Sequence, residues 1–321
     1  MPVHPDLSAF LELAEFGRLT GKSQPMHTLP VAQARADFER SSQILDPNPP
    51  GDVEVQVLQL PTRDGSVLDG RLYRLASMAD QVLPTILYFH GGGYVVGSLD
   101  SHDSVCRRLA LSGEFAVVAP AYRLAPEYPF PTAVHDALDS VASLKAQAEQ
   151  LHLDPQRLVV AGDSAGATLA AVLAITAANH PEQIALKPQA QLLFYPVTDM
   201  SVQRASHRTY AEGYLLETET LEWFYQHYAG SAVERQDWRA SPLLIGQTAV
   251  QAPAYISLAE YDPLFDEGMA YTEALKLSGT PVQLTVEQGL SHDFLRMSGI
   301  VESVDDIYRR ALQWLVTNAC R

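Results

Sequence analysis

The stretch Gly162-Asp163-Ser164-Ala165-Gly166 decides how this chain folds. It directly follows the apolar run Leu158–Ala161 and precedes a helical stretch of small residues. A serine in this context stands on a strained strand-to-helix turn. The reversal brings the residues two before and two after the serine close together, so only very small residues fit at Gly162 and Gly166. The helix that follows favours negative charge at its N-terminus. The sequence therefore predicts Ser164 as a nucleophile.

A second motif, His90-Gly91-Gly92-Gly93, follows the predicted strand Thr85–Phe89. Acyl transfer passes through a tetrahedral oxyanion, which requires two or three unobstructed backbone N–H donors. The expected donors are Gly92, Gly93 and Ala165. We expect Gly91 to serve the turn and His90 to be a structural hydrogen-bonding residue rather than a base. The alternative is a glycine-rich turn without chemical function.

A nucleophilic serine needs a base, and the base needs an acid that orients it. His292 follows the last predicted strand and is the expected base. Three carboxylates follow the predicted strand Ala254–Leu258 and are candidates for the acid: Asp262, Asp266 and Glu267. Asp262 lies nearest to the strand, whereas helix capping and first-turn charge also explain the other two. The remaining histidines in or beside helical stretches are expected to be surface or packing residues: His102, His135, His152, His180, His207 and His227.

From residue 53 onward, short apolar runs alternate with helical stretches. Val53–Leu60 and Gly70–Leu75 flank the turn at Asp64–Gly65 and predict a hairpin. Six later runs lack polar alternation, which is typical of strands covered on both faces: Thr85–Phe89, Phe115–Ala119, Arg157–Ala161, Ala190–Tyr195, Ala254–Leu258 and Val282–Val286. The pattern predicts an α/β fold with a mostly parallel eight-stranded sheet, an antiparallel start and helices on both faces.

Two segments do not follow this alternation of short apolar runs and helical stretches. Helical patterns cover residues 5–16 and a stretch after Pro30, and Asp46–Gly51 reads as a linker. Nearly sixty residues separate the fourth and fifth of the six later runs, and they hold an aromatic face at helical spacing: Leu221, Phe224, Tyr225 and Tyr228. This face either belongs to the core or lines a substrate pocket under a cap made with the N-terminal helices.

Composition excludes several classes of function. The formal net charge is −16 and no basic run occurs, which argues against nucleic acid or an anionic membrane as a partner. Histidines and carboxylates do not gather at ligand spacing, so we expect no metal site. Cys106 and Cys320 make no disulfide framework, and the N-terminus has no basic signal-peptide region. The apolar run Ala167–Ala178 is too short to span a bilayer. We therefore expect a soluble, cytoplasmic protein.

Several motifs together resemble one family. They are His90–Ser98 (HGGGYVVGS), His102-Asp103, Tyr122–Glu127 (YRLAPE), Phe130-Pro131, Gly162–Gly166 (GDSAG), Tyr195-Pro196 and Asp262–Gly268 (DPLFDEG). From about Val53 to the C-terminus, the chain resembles the GDSAG branch of the bacterial hormone-sensitive-lipase-like esterases, within the α/β-hydrolase superfamily. Tyr94 and Asp293 depart from the tryptophan and the glycine that are common at these positions in that family.

This resemblance implies a carboxylesterase without a cofactor that acts on short- to medium-chain esters through an acyl-enzyme. It assigns Ser164, Asp262 and His292 to the catalytic triad and Gly92, Gly93 and Ala165 to the oxyanion hole. It also implies cap helices in residues 1–50 and a catalytic domain over residues 51–321 with a cap insertion at about 197–250. The alternatives are an amidase or peptidase with the same triad and a non-catalytic small-molecule receptor. The chain is expected to be a monomer or a homodimer.

Overall fold

The computed structural model describes residues 2–318, and these contain one eight-stranded sheet. Its strands are β1 (Val53–Pro61), β2 (Val67–Leu75), β3 (Leu83–Phe89), β4 (Ala116–Pro120), β5 (Leu153–Asp163), β6 (Ala190–Phe194), β7 (Ala254–Tyr261) and β8 (Val282–Ser291). Their order across the sheet is β1-β2-β4-β3-β5-β6-β7-β8. β2 pairs antiparallel with β1 and β4, and all other pairs are parallel. The predicted sheet and its antiparallel start are confirmed.

Helices cover both faces of the sheet. The α-helices of the described residues are α1 (Pro5–Leu19), α2 (Val31–Leu45), α3 (Asp103–Ala110), α4 (Thr132–Gln147), α5 (Ala165–Asn179), α6 (Ala205–Thr209), α7 (Thr218–Tyr228), α8 (Ala232–Gln236), α9 (Phe265–Leu277) and α10 (Val304–Asn318). Helices α4, α5 and α9 pack into one apolar cluster and α3 and α10 into a second cluster. Every residue of β3, β4 and β6 is buried, because these strands lie between two helical layers.

Two strands are longer than the sequence predicts, and both contain irregular pairing. In β5, which begins at Leu153 rather than at Arg157, the pairing with β3 shifts between Pro84 and Thr85. In β8, which continues past Val286, the register with β7 shifts close to Gly289, whose φ is +75°. Extra residues in a strand interrupt its apolar pattern, so the pattern alone shows only the regular part of each strand.

The N-terminal helices lie against the segment that contains α7. An ion pair joins Arg18 of α1 to Glu217, and His27 Nε2 lies 3.0 Å from a carboxylate oxygen of Glu219. Arg35 of α2 reaches the body of the fold, where its Nε donates to the Val95 carbonyl oxygen at 2.8 Å. The residues before the sheet are thus in contact with those between β6 and β7.

Cys106 is a free, buried cysteine within α3, and Cys320 lies outside the described residues. No helix in the described part of the chain has the length and apolar character needed to cross a membrane.

Candidate active site

Ser164 occupies the tight turn that the sequence predicts. β5 ends at Asp163 and α5 begins at Ala165, which leaves Ser164 between them with a φ of +53°. A Cβ on Gly162 would lie 2.4 Å from the carbonyl carbon of Gly166, and a Cβ on Gly166 would lie 2.0 Å from the Phe89 carbonyl oxygen. Both glycines are therefore required, because no larger residue fits where the chain reverses.

Three side chains meet at this turn in one hydrogen-bonded chain. His292 Nε2 lies 2.9 Å from Ser164 Oγ, and His292 Nδ1 lies 2.7 Å from Asp262 Oδ2. The Leu264 N–H donates to Asp262 Oδ1 at 2.8 Å, so both carboxylate oxygens have partners. All three side chains are buried. The geometry is that of a nucleophile, a base and an orienting acid.

The carboxylate of Asp262 fixes the tautomer of His292. Since Asp262 accepts a hydrogen bond from Nδ1, the proton of the neutral ring lies on Nδ1 and Nε2 accepts from Ser164. Burial opposes the charged imidazolium, but the carboxylates of Asp262, Asp293 and Asp163 outweigh it and raise the pKa of His292 above its ordinary value. The ring is thus suited to take up a proton from Ser164.

The two rival carboxylates have other partners. Asp266 Oδ2 accepts the Ser206 N–H at 2.8 Å. Glu267 is fully buried, and its Oε1 accepts the Thr198 N–H at 2.6 Å. Burial raises the pKa of Glu267 to about 8. Asp266 and Glu267 both lie in the first turn of α9, as expected, but their carboxylates accept backbone N–H groups from outside that helix. Helix α9 begins without a side-chain cap.

The glycine loop after β3 supplies backbone N–H groups beside Ser164. Gly92 and Gly93 line the same cavity as Ser164 and have φ values of +114° and +59°. Within residues 2–318, no acceptor occupies their N–H groups or that of Ala165. A Cβ on Gly93 would lie 2.2 Å from the ring of Phe224, so this position also requires glycine. Unoccupied N–H groups of this kind are suited to bind an oxyanion.

His90 has the structural surroundings that we expect for it. The buried ring stacks on Tyr122 at 4.4 Å, and its Nδ1 lies 2.7 Å from the Gly91 carbonyl oxygen. Burial, together with the neighbouring His102, lowers the pKa of His90 to about 3. The ring is therefore neutral at physiological pH and packs beneath the loop.

A buried polar network behind the turn was not predicted from the sequence. Asp163 Oδ1 accepts the Gly91 N–H at 2.9 Å and the Tyr88 hydroxyl at 2.6 Å, and Asp163 Oδ2 lies 3.4 Å from His102 Nε2. Burial alone would raise the pKa of Asp163, but His102 holds it below its ordinary value. Asp163 thus joins the nucleophile turn to the glycine loop. Asp163 belongs to the GDSAG motif and His102 to the His102-Asp103 motif, but the sequence spacing does not predict that the two side chains meet.

His102, Asp163 and Asp293 form a group whose possible metal-ligand atoms lie within 4.8 Å of one another. His102 Nε2 and Asp163 Oδ2 are both buried and have no hydrogen-bond partner among the described residues. Asp163 and His102 lie at ion-pair distance, and Asp293 is paired with Arg296.

A cavity of about 310 Å³ contains Ser164 and His292 in its wall. Most of the wall consists of apolar side chains from the N-terminal segment and from residues 197–250: Phe10, Met26, Leu29, Phe38, Leu45, Val197, Leu215, Leu216, Leu221, Phe224 and Tyr225. The aromatic face was expected either to belong to the core or to line a substrate pocket, and each interpretation holds for some of its residues. Three members line the cavity, whereas Tyr228 stacks on Tyr94 at 3.7 Å in the core.

Comparisons with known proteins agree with this fold. A family model described as "alpha/beta hydrolase fold" matches residues 86–296, and the chain belongs to this family. An ethyl acetate hydrolase of Pseudomonas putida is 48% identical over 95% of this chain and 96% of that protein. A carboxylic ester hydrolase of Mycobacterium tuberculosis, LipN, is 37% identical over 78% of this chain and 67% of that protein.

Solved structures give the same result. An ester hydrolase from the metagenome of Lake Arreo superposes with a TM-score of 0.91 and 33% identity, over 98% of both chains. A thermostable esterase of Pseudomonas putida superposes with a TM-score of 0.90 and 30% identity, over 99% of this chain and 98% of that one. The resemblance to the hormone-sensitive-lipase-like carboxylesterases is confirmed, and the chain is a carboxylic ester hydrolase.

Proposed function

We propose that this enzyme hydrolyses small carboxylic esters with short- to medium-length acyl chains, and that Ser164, His292 and Asp262 are its catalytic triad. The observation that carries the proposal is the continuous chain of hydrogen bonds from Asp262 Oδ2 through His292 to Ser164 Oγ. It lies in the wall of a mostly apolar cavity, beside backbone N–H groups that have no acceptor in the described part of the chain.

The reaction has two halves. Ser164 Oγ bonds to the ester carbonyl carbon while its proton passes to His292 Nε2. The carbonyl oxygen becomes an oxyanion that accepts hydrogen bonds from Gly92, Gly93 and Ala165. The bond from the carbonyl carbon to the alkoxy oxygen then breaks, and His292 gives its proton to the departing alcohol. A water molecule repeats the attack on the acyl-enzyme, and the carboxylic acid leaves.

The cover over the site supports the choice of substrate. We assign residues 1–50 and about 197–250 to a cap on the catalytic domain of residues 51–321. Its apolar side chains bound the cavity, and each acyl CH₂ gains about 0.8 kcal/mol only while it fits there. Specificity should therefore peak at about four to eight acyl carbons. The ethyl acetate hydrolase of Pseudomonas putida, whose name gives a short ester as substrate, supports a preference for short rather than long acyl chains.

The direct test compares Ser164→Ala with Ser140→Ala, which alters a buried serine of α4. With p-nitrophenyl butyrate, Ser164→Ala should lose about 10⁴-fold or more of kcat, because only oxyanion and binding effects remain. Ser140→Ala should keep its kcat. A folded Ser164→Ala variant with a tenth of the wild-type kcat contradicts the assignment. Faster cleavage of the matched butyryl anilide would indicate an amidase instead.

A further inference from the structure

Asp293 has an unusual conformation directly after the proposed base. Its φ is +72°, in the left-handed region where glycine is favoured and where Asp and Asn are tolerated better than other residues. Glycine is common at this position in the family that the chain resembles. Here the carboxylate lines the cavity and forms an ion pair with Arg296. This chain thus has a charged side chain at a backbone position that favours glycine.

The partner of Asp293 is a buried cation that contacts helix α2. Arg296 is only 3% exposed, and its Nη2 donates to Ser42 Oγ at 2.6 Å. The same Nη2 lies 3.1 Å from both the Phe38 carbonyl oxygen and Ser41 Oγ. The guanidinium carbon lies 3.9 Å from the centroid of the Phe38 ring, within the range of a cation–π contact. One guanidinium therefore binds α2 on one side and Asp293 on the other.

We propose that Asp293 and Arg296 are a pair of positioning residues that hold the loop of His292 against helix α2. The inference rests on the proposed role of His292 as base. A guanidinium stays charged when buried, so its contacts with Asp293 and α2 are costly to break. Phe38 and Ser41 also line the cavity. The pair thereby keeps the base and one wall of the cavity in a fixed relation.

Asp293 also contributes charge to the site. The anionic groups that face His292 are Asp262 after β7, Asp163 at the end of β5 and Asp293 on its own loop. The cation nearest to Asp293 is Arg296, which follows in the same loop. Replacing Asp293 by asparagine removes one anion and leaves the guanidinium unpaired. Both changes disfavour the imidazolium and lower the pKa of His292, so the neutral base persists to lower pH.

The experiment uses two substitutions that tolerate the same backbone. Asparagine keeps the shape of the side chain, whereas glycine relieves the positive φ. For both Asp293→Asn and Asp293→Gly, the acid limb of kcat/KM should move about 0.5 to 1 pH unit lower. On the plateau, kcat should fall about three- to tenfold while KM for p-nitrophenyl butyrate stays within about twofold, because proton transfer loses its alignment.

Ser42→Ala tests the connection to α2, since Ser42 bonds Arg296 and does not line the cavity. It should lower kcat about threefold in the wild type and leave it nearly unchanged in the Asp293→Asn background, because the two sites act through one guanidinium. All rates are taken per site labelled by a phosphonate ester, so unfolded protein does not count.

Two results overturn the pair: an acid limb and a plateau kcat equal to wild type in both Asp293 variants, or an equal effect of Ser42→Ala in both backgrounds. Failure of the proposed function is a different result, because the wild type would then show no phosphonate-labelled Ser164.

Discussion

The floor of the cavity and its cover are built in different ways. The floor lies at the carboxyl ends of β3, β5, β7 and β8, where buried polar side chains hold one another through hydrogen bonds. The cover comes from α1, α2 and α7, and it presents mostly apolar side chains to the cavity. Hydrogen bonds depend on direction and apolar contacts on volume. A single substitution in the floor should therefore abolish the reaction. A single substitution in the cover should only alter which substrates are preferred.

The largest effect in this comparison is expected at Asp262, on the floor. Asp262→Asn keeps the size of the side chain but removes the acceptor that fixes the tautomer of His292, so kcat should fall about 10⁴-fold. Asp266→Asn and Glu267→Gln are matched controls in the same motif. They should mainly lower the melting temperature, because their partners are backbone N–H groups of the cover segment. A near-normal kcat for Asp262→Asn would move the acid role to another carboxylate.

An intermediate effect is expected at Asp163, which belongs to the floor without touching the base. Asp163→Asn weakens the link between the nucleophile turn and the Gly91 N–H, and we expect a loss of about 10- to 100-fold in kcat with little change in KM. Tyr88→Phe is the control, because it removes only the hydroxyl donor to the same carboxylate oxygen. If Asp163→Asn retains half of the wild-type kcat, the floor does not depend on this link.

The smallest effect is expected in the cover. Leu221→Ala enlarges the cavity wall, so the preferred acyl chain should lengthen by about two carbons, with less than about tenfold loss on the butyryl ester. Tyr228→Phe on the same helix packs in the core and should keep the wild-type profile. The measurement is kcat/KM over p-nitrophenyl esters of two to sixteen carbons. An unchanged profile for Leu221→Ala would show that α7 does not bound the acyl chain.

The same contrast explains what the sequence could predict. Short sequence motifs predict the floor for two reasons. Its tight turns require glycine, and the carboxyl ends of its parallel strands meet at one edge of the sheet. Ser164, Asp262 and His292 could therefore be identified and are found in contact. The cover has no such motif: its side chains are apolar in either interpretation, and only the folded chain separates Tyr228 in the core from Phe224 in the wall.

Polar contacts between residues that are distant in the sequence also could not be predicted. The contact between His102 and Asp163 and the burial of Glu267 depend on how distant segments pack. Glu267 lies in the first turn of a helix, where acidic residues are usually exposed. Only the structure shows that Glu267 is buried and that its carboxylate accepts the backbone N–H groups of Thr198 and Asp199.

Covalent labelling of the nucleophile tests the central claim most directly. The protein is treated with a p-nitrophenyl alkylphosphonate, and its mass and labelled peptide are determined beside those of Ser164→Ala. We predict one phosphonyl group per chain, on Ser164, with release of p-nitrophenol and loss of all esterase activity. Label on another residue, equal labelling of Ser164→Ala, or continued ester hydrolysis by the fully labelled enzyme would contradict the account.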